Sequence, residues 1–246
     1  MRIQLDGWRG ELAGSMISLL APTRNRVKEF KRMMESAYQI ATTPIEILTY
    51  VDEDDYSYNF GNSEFWPNLI SPIAASVMTG PRLVMSGYWN QLARKASGDI
   101  LMLAADDIVF ITPGWSEMVE EAFADCPDKI LCVHGDDLGP NGKTFATLPL
   151  VSRRWVETVG YFTPPGFSGD FADTWINDVA DMIGRKKFLP YVTDHRHHIY
   201  NKAEYDATYR EKDERQKRDN LEQMYLDRLP ERIRDAEKLK AVINGD

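Results

Sequence analysis

Asp99-Ile100-Leu101-Met102-Leu103-Ala104-Ala105-Asp106-Asp107-Ile108-Val109-Phe110 runs from an apolar segment straight into two adjacent carboxylates and then into a second apolar segment. Residues 100–105 are short, continuous and apolar, which predicts a strand buried on both faces, as parallel strands are. Asp106 and Asp107 then emerge at its C-terminal end. In open α/β sheets ligands bind beyond the carboxyl ends of the strands. Two neighbouring carboxylates repel unless positive charge sits beside them. A divalent cation with oxygen ligands and positions left open for phosphate oxygens meets that need. A solvated Asp-Asp turn meets it without any ligand.

Upstream, residues 16–21 read as a first buried strand. Val27, Phe30, Met33, Met34, Ala37 and Ala41 follow at helical spacing, and Pro44 ends that helix. Residues 45–51 are a second strand. Strand, helix, strand in this order implies a parallel pair with a right-handed crossover. The first turn, Pro22-Thr23-Arg24-Asn25-Arg26, places a hydroxyl and two guanidinium groups at a helix N-terminus, a setting for phosphate or for arginines lying on a solvated surface. Asp52-Glu53-Asp54-Asp55 ends the second strand, where one aspartate can accept from a ring N–H or a ribose hydroxyl. Residues 56–81, rich in aromatic, Asn, Ser, Gly and Pro residues, read as an irregular region or short hairpin over the site. Tyr88, Trp89, Leu92, Ala93 and Ala96 make the next helix face, with Gly98 as its stop.

Beyond the central strand, Trp115, Met118, Val119, Ala122 and Phe123 mark a helix. Residues 129–134 mark a strand followed by Asp136 and Asp137, and residues 148–151 a short strand. Ser152 caps a helix reaching Gly160. A further helix carries Trp175, Ile176, Val179, Met182 and Ile183 on one face, with Asp173 in its first turn, where the helix dipole favours a carboxylate. Pro190 makes the last strand, 188–192, an edge strand. Three of the four histidines fall in Asp194-His195-Arg196-His197-His198. His195 and His197 share a face of an extended segment, and a neutral imidazole is a common metal ligand. From residue 201 the chain is charged, with narrow apolar stripes on two helices joined near Pro230. The charges read as a solvated face, or as a homodimer seam or a surface for an acidic partner.

The 246 residues carry 43% hydrophobic and 27% charged residues, ordinary for a globular protein. A net charge of −9 speaks against polyanion binding by bulk electrostatics. Two cysteines form no disulfide framework and point to a reducing compartment. No apolar run reaches the length of a membrane span. A soluble, cytoplasmic protein is the expectation.

The order and spacing of these landmarks resemble the GT-A glycosyltransferases, family 2 in particular, of the short bacterial and phage type. Pro22-Thr23-Arg24-Asn25-Arg26 is similar to their nucleotide-binding turn, Val51-Asp52 to their base-binding aspartate, and Ala104-Ala105-Asp106-Asp107 to their Asp-x-Asp metal motif. Gly114-Trp115, Gly160-Tyr161-Phe162, Asp173-Thr174-Trp175 and His195-Arg196-His197 match later landmarks. The resemblance spans roughly residues 15–209. It implies a GT-A-like, Rossmann-like α/β fold, a mostly parallel sheet flanked by helices, over residues 1–200, with a charged helical extension at 201–246. It implies a metal-dependent, inverting hexosyl- or pentosyltransferase that takes a nucleotide-sugar, a UDP-sugar first, and passes the sugar to the hydroxyl of a saccharide or a hydroxymethylated DNA base. Pro22, Thr23, Arg24, Arg26, Asp52, Arg82, Asn90 and Asp106 would bind the donor. Asp107, His195 and His197 would hold Mn2+ or Mg2+, and Asp173 would be the general base. Three positions depart from the family pattern: Ala104 replaces the first aspartate of the metal motif, Arg24 a tyrosine, and Ala172 a glutamate. A nucleotidyltransferase-like enzyme and a non-catalytic nucleotide-sugar-binding protein are the alternatives.

Overall fold

The computed structural model describes residues 15–58 and 75–245. The continuous apolar run at the start becomes β1, Ile17–Leu20, buried at every position. It leads into α1, Val27–Ile40, whose Phe30, Met33, Met34 and Ala37 form the buried stripe. β2, Ile45–Asp52, returns parallel to β1. β4, Ile100–Leu103, lies parallel to β1 on its other side. Three apolar strand segments thus end at one edge of the sheet, with polar residues immediately after each.

A further strand, β3, Ala75–Gly80, pairs parallel with β2. It lies in the stretch read from sequence as irregular or as a hairpin. None of its positions is fully buried, so it carries no apolar run to announce it. The rest of that stretch, 59–74, lies outside the described residues.

The remaining strands are β5, Ile108–Phe110, β6, Cys132–Asp136, β7, Leu150–Ser152, and β8, Lys186–His195. The sheet order is β3-β2-β1-β4-β7-β6-β8-β5. β6 and β8 are parallel. β7 runs antiparallel to β4 and β6, and β5 runs antiparallel to β8. The result is a mixed α/β sheet in which parallel pairs predominate, as expected. Alternation along the strands feeds two cores. Ile17, Leu19, Ile47 and Met102 face α1 and α3, Trp115–Ala124. Leu20, Leu48, Leu101 and Leu103 face the other layer: α2, Met85–Lys95, α4, Arg153–Val159, and α5, Ala172–Met182.

Three expectations are corrected. β8 is not an edge strand but lies between β6 and β5. It tolerates Pro190 because its pairing with β6 is broken between Phe188 and Val192 before β5 takes over at Thr193, and proline is accepted at such irregularities. Gly98 does not stop α2, which ends at Lys95 with Ala96 as cap. Instead Gly98 packs onto β1, where a Cβ would press on the Ser18 hydroxyl and lie 2.5 Å from the Met16 carbonyl. The C-terminal region holds three helices rather than two: α6, Ala207–Arg218, α7, Leu221–Asp227, and α8, Leu229–Asn244, with Pro230 in the first turn of α8. Tyr209 is the buried residue of α6, so no periodicity marked that helix. Among the described residues no helix is long and apolar enough to cross a membrane.

Candidate active site

The ends of β1, β2 and β4 bring Thr23, Asp52, Asp106 and Asp107 to one edge. β5 then carries the chain away from Asp107 and pairs with the end of β8, placing His195 opposite Ile108. The Arg196 N–H donates to the Asp107 carbonyl at 2.8 Å, locking that register. α5 supplies Asp173 from its first turn, after Phe171 adopts the left-handed conformation with φ 75°. α6 lies across the opening. A cavity of about 230 Å3 results, lined by Pro22, Thr23, Arg24, Arg26, Asp52, Arg82, Asp106, Asp107, Asp173, His195 and His197. Asn90 stands apart from this lining. Its side-chain oxygen accepts from the Phe162 and Thr163 N–H groups and its NH2 donates to the Thr163 carbonyl, which uses the amide as a clamp on that loop.

The two central aspartates are buried, and their compensating charge comes from the protein. The Arg26 guanidinium lies 3.3 Å from Asp106 and 3.6 Å from Asp107. It also pairs with Asp206 just before α6 at 3.0 Å and lies 4.0 Å from the centre of the Tyr209 ring. Asp106 accepts from the Thr23 hydroxyl at 2.7 Å and from Arg26, so both of its oxygens have donors. Burial, with Asp107 close by, pushes its carboxyl up to about 7. Asp107 is also buried, but the facing His195 imidazole, the Tyr209 hydroxyl and the charge of Arg26 outweigh burial and hold its carboxyl well below the usual range. The Tyr209 hydroxyl donates to Asp107 Oδ2 at 2.8 Å.

The other oxygen, Asp107 Oδ1, is buried without a hydrogen-bond partner and lies 3.3 Å from His195 Nε2. Two ligands in adjacent positions on an octahedral ion stand about 3 Å apart when each bond is about 2.1 Å. One carboxylate oxygen and, once its proton is released, one imidazole nitrogen are the groups that could hold Mn2+ or Mg2+ here. Among the described residues no group of three or more His, Cys, Asp or Glu side chains forms a cage. An ion held here would leave its other positions to substrate phosphates and water. On the far side of the ring, His195 Nδ1 lies 3.7 Å from Asp137 Oδ2. Burial disfavours the charged imidazole, yet the two flanking carboxylates raise it to about 9. Burial also opposes ionisation of Asp137, but His195 and the Gly139 N–H keep its carboxyl below the usual range. His197 follows at the N-cap of the short turn His198–Tyr200, where its Nδ1 accepts from the Ile199 N–H. Burial pulls it down to about 4, so it is neutral.

At the other end of the cavity Asp52 Oδ1 accepts from the Tyr88 hydroxyl at 2.5 Å, and Oδ2 accepts from Arg24 at 3.0 Å. Arg82 stands 3.7 Å from Asp52 and pairs with Glu211 of α6. Tyr50 and Tyr88, with ring centres 5.0 Å apart, add aromatic surface beside Asp52. Asp173 is pushed up to about 6, chiefly by burial, while its Oδ1 accepts from the Thr174 N–H at 2.8 Å. Sequence reasoning missed Tyr88, Asp137, Asp206, Tyr209 and Glu211. Tyr88 was legible only as a helix-face residue and Asp137 only as a carboxylate after a strand. Asp206, Tyr209 and Glu211 sit in a charged segment with no pattern.

No protein-family model and no curated protein matches the chain. Solved structures do match in fold. The mannosyltransferase PcManGT from Pyrobaculum calidifontis, in complex with GDP-Man and Mn2+, superposes with a TM-score of 0.56 at 13% identity, over 76% of this chain and 58% of that one. S. aureus TarS 1–349 in complex with UDP gives a TM-score of 0.54 at 13% identity, over 72% of this chain and 59% of that one. The chain thus spans less than two thirds of each of these proteins. At this identity the likeness establishes the fold, a Rossmann-like α/β architecture shared with glycosyltransferases.

Proposed function

We propose that the chain is an inverting, metal-dependent glycosyltransferase that takes a nucleoside-diphosphate sugar, a UDP-sugar first, and delivers the sugar to an acceptor hydroxyl. The observation that carries this reading is the convergence of Asp52, Asp107, His195 and Asp173 on one cavity at the carboxyl ends of the strands, where ligands bind in such sheets. That the fold neighbours include proteins solved with GDP-Man and Mn2+ and with UDP supports it. Tyr50 and Tyr88 provide a wall for the base, and Asp52 with Arg24 the polar edge. Arg26 and Arg82 are the cations nearest the place of the diphosphate. Asp107 and His195 would hold Mn2+ or Mg2+, which supplies Lewis-acid stabilisation of the diphosphate leaving group. Asp173, raised toward neutrality by burial, is suited to take the proton from the acceptor hydroxyl. With no second carboxylate assigned as a nucleophile, a single displacement and inversion follow.

The cavity is smaller than the usual ~300–1,000 Å3 of ligand pockets, because α6 lies over it. Entry of a nucleotide therefore displaces the Asp206 and Glu211 carboxylates from Arg26 and Arg82. The test is thermal unfolding with UDP, GDP, CMP and TDP, each with and without Mn2+, since a ligand bound only to the folded state raises the melting temperature. A shift with one nucleotide that requires Mn2+ is expected. That nucleotide's sugar conjugates should then be hydrolysed or transferred with release of free nucleoside diphosphate, and Asp173→Asn should abolish release while keeping the shift. No shift with any nucleotide, or full turnover by Asp173→Asn, refutes the reading. Pyrophosphate release from a nucleoside triphosphate would instead assign a nucleotidyltransferase.

A further inference from the structure

Asp137 follows the end of β6 and does not line the cavity, yet it is buried, with 3% exposure. Its Oδ1 accepts from the Gly139 N–H at 2.9 Å, and the Thr147 side chain also donates to the carboxylate. Glycine at 139 and 142 leaves room for that carboxylate. A Cβ on Gly142 would collide with Asp137 Oδ1, and one on Gly139 would lie 3.0 Å from it. The second oxygen, Oδ2, is buried and has no hydrogen-bond partner. It faces His195 Nδ1 at 3.7 Å, and that nitrogen is likewise buried without a hydrogen-bond partner. Two complementary buried atoms, each otherwise unsatisfied, look at each other across a gap that a small rotation of the imidazole closes. Leaving both unpaired costs more than making the bond, and such contacts tighten when a site is loaded.

We infer that Asp137 is a positioning residue for His195: its free oxygen holds Nδ1–H, so that Nε2 is the nitrogen that gives up its proton to an ion bound beside Asp107. The inference rests on the reading of Asp107 and His195 as the metal-binding pair. An imidazole that ligates through one nitrogen must carry its proton on the other, and a carboxylate behind the ring selects that tautomer. Asp107 alone cannot do this, since it lies on the Nε2 side.

Asp137→Asn separates the two roles. The asparagine oxygen keeps the Gly139 N–H, so the turn survives. Its NH2 then faces Nδ1 and is satisfied only by an unprotonated nitrogen, which moves the ring proton to Nε2 and removes the lone pair. The full chain is compared with Asp137→Asn in two measurements. Mn2+ affinity is read by electron paramagnetic resonance in the presence of UDP. The His195 Nδ1–H is read in 1H–15N spectra with Mg2+ and UDP bound, assigned with His195→Gln. The variant should bind Mn2+ about 10- to 100-fold more weakly, bind UDP alone unchanged, and lose the slowly exchanging, hydrogen-bonded Nδ1–H that the parent shows. Should Asp137→Asn not fold, Asp137→Ser, whose hydroxyl caps the turn without reaching the ring, takes its place and must show the same loss. An unchanged Nδ1–H signal together with unchanged Mn2+ affinity reduces Asp137 to a turn cap and overturns the inference. If the parent itself binds no Mn2+ with UDP, the metal reading of the site fails and the inference falls with it.

Discussion

His195 couples the stability of this protein to pH in a direction opposite to that of a buried carboxylate held below its usual range. In the folded chain it sits between Asp107 and Asp137, 9% exposed, and its titration is raised from 6.5 to about 9. Between those two values the folded protein keeps a proton that the unfolded chain has released. The folded state binds more protons, so stability falls as pH rises through this window. The contribution is fully present below pH 6.5 and gone above about 9. At about 1.4 kcal/mol for each tenfold change in proton affinity, the amount is about 3 kcal/mol. Urea unfolding of the metal-free chain in EDTA, at pH 6, 7, 8 and 9, measures it through the extrapolated free energy. His195→Gln, which cannot take up the proton, should lose this component. The difference between parent and variant, in which other titrating groups largely cancel, should shrink by about 3 kcal/mol across the series. The same pH dependence in both proteins would refute the placement of the imidazole between two carboxylates. With Mn2+ present the dependence should change sign, because the metal competes with that proton.

Arg26→Met leaves Asp106 and Asp107 buried without their guanidinium and should cost about 3–5 kcal/mol in chemical denaturation; a loss below 1 kcal/mol would show that the pair is solvated. Gly98→Ala should destabilise by about 1–3 kcal/mol because the new methyl group meets the Met16 carbonyl and Ser18. A glycine that merely ended a helix at ordinary φ would instead be stabilised by alanine, so the sign of the change in melting temperature decides between the roles. Asp206→Asn combined with Glu211→Gln frees Arg26 and Arg82 and should tighten UDP binding about three- to tenfold by calorimetry, each pair having a solvent-exposed carboxylate and being worth about 1 kcal/mol or less. Weaker UDP binding would mean that these carboxylates help to hold the nucleotide.

The first half of the sheet was readable because β1, β2 and β4 are buried apolar runs and α1 carries a clean stripe. β3 was not, because a half-exposed strand shows neither an apolar run nor strict alternation. Pro190 misled for a related reason: a proline rule applied to a whole strand fails where a strand changes partners midway. In the cavity, strand-end carboxylates and the histidine cluster were visible as residue types out of place in a core. What neutralises them was not. The sequence offers Arg26 as a phosphate ligand or as a solvated surface residue, whereas in this structure it is buried and its nearest anions are Asp106, Asp107 and Asp206. Tyr209 and Asp206 approach through space from a helix whose sequence shows only charge. Asp137 was seen only as one acidic residue after a strand, since its relation to His195 depends on the β6–β8 pairing.

The pairing of Arg26 with Asp206 joins residues 180 positions apart, and that of Tyr209 with Asp107 residues 102 apart. Closing such spans costs chain entropy before any contact repays it, whereas β1, α1 and β2 meet across short distances along the chain. During synthesis the sheet can therefore assemble while the cavity still stands open, with Asp107 lacking Tyr209 and Arg26 lacking Asp206. The newborn chain carries an uncovered anionic floor until α6 has emerged, after every strand of the sheet and before α7 and α8.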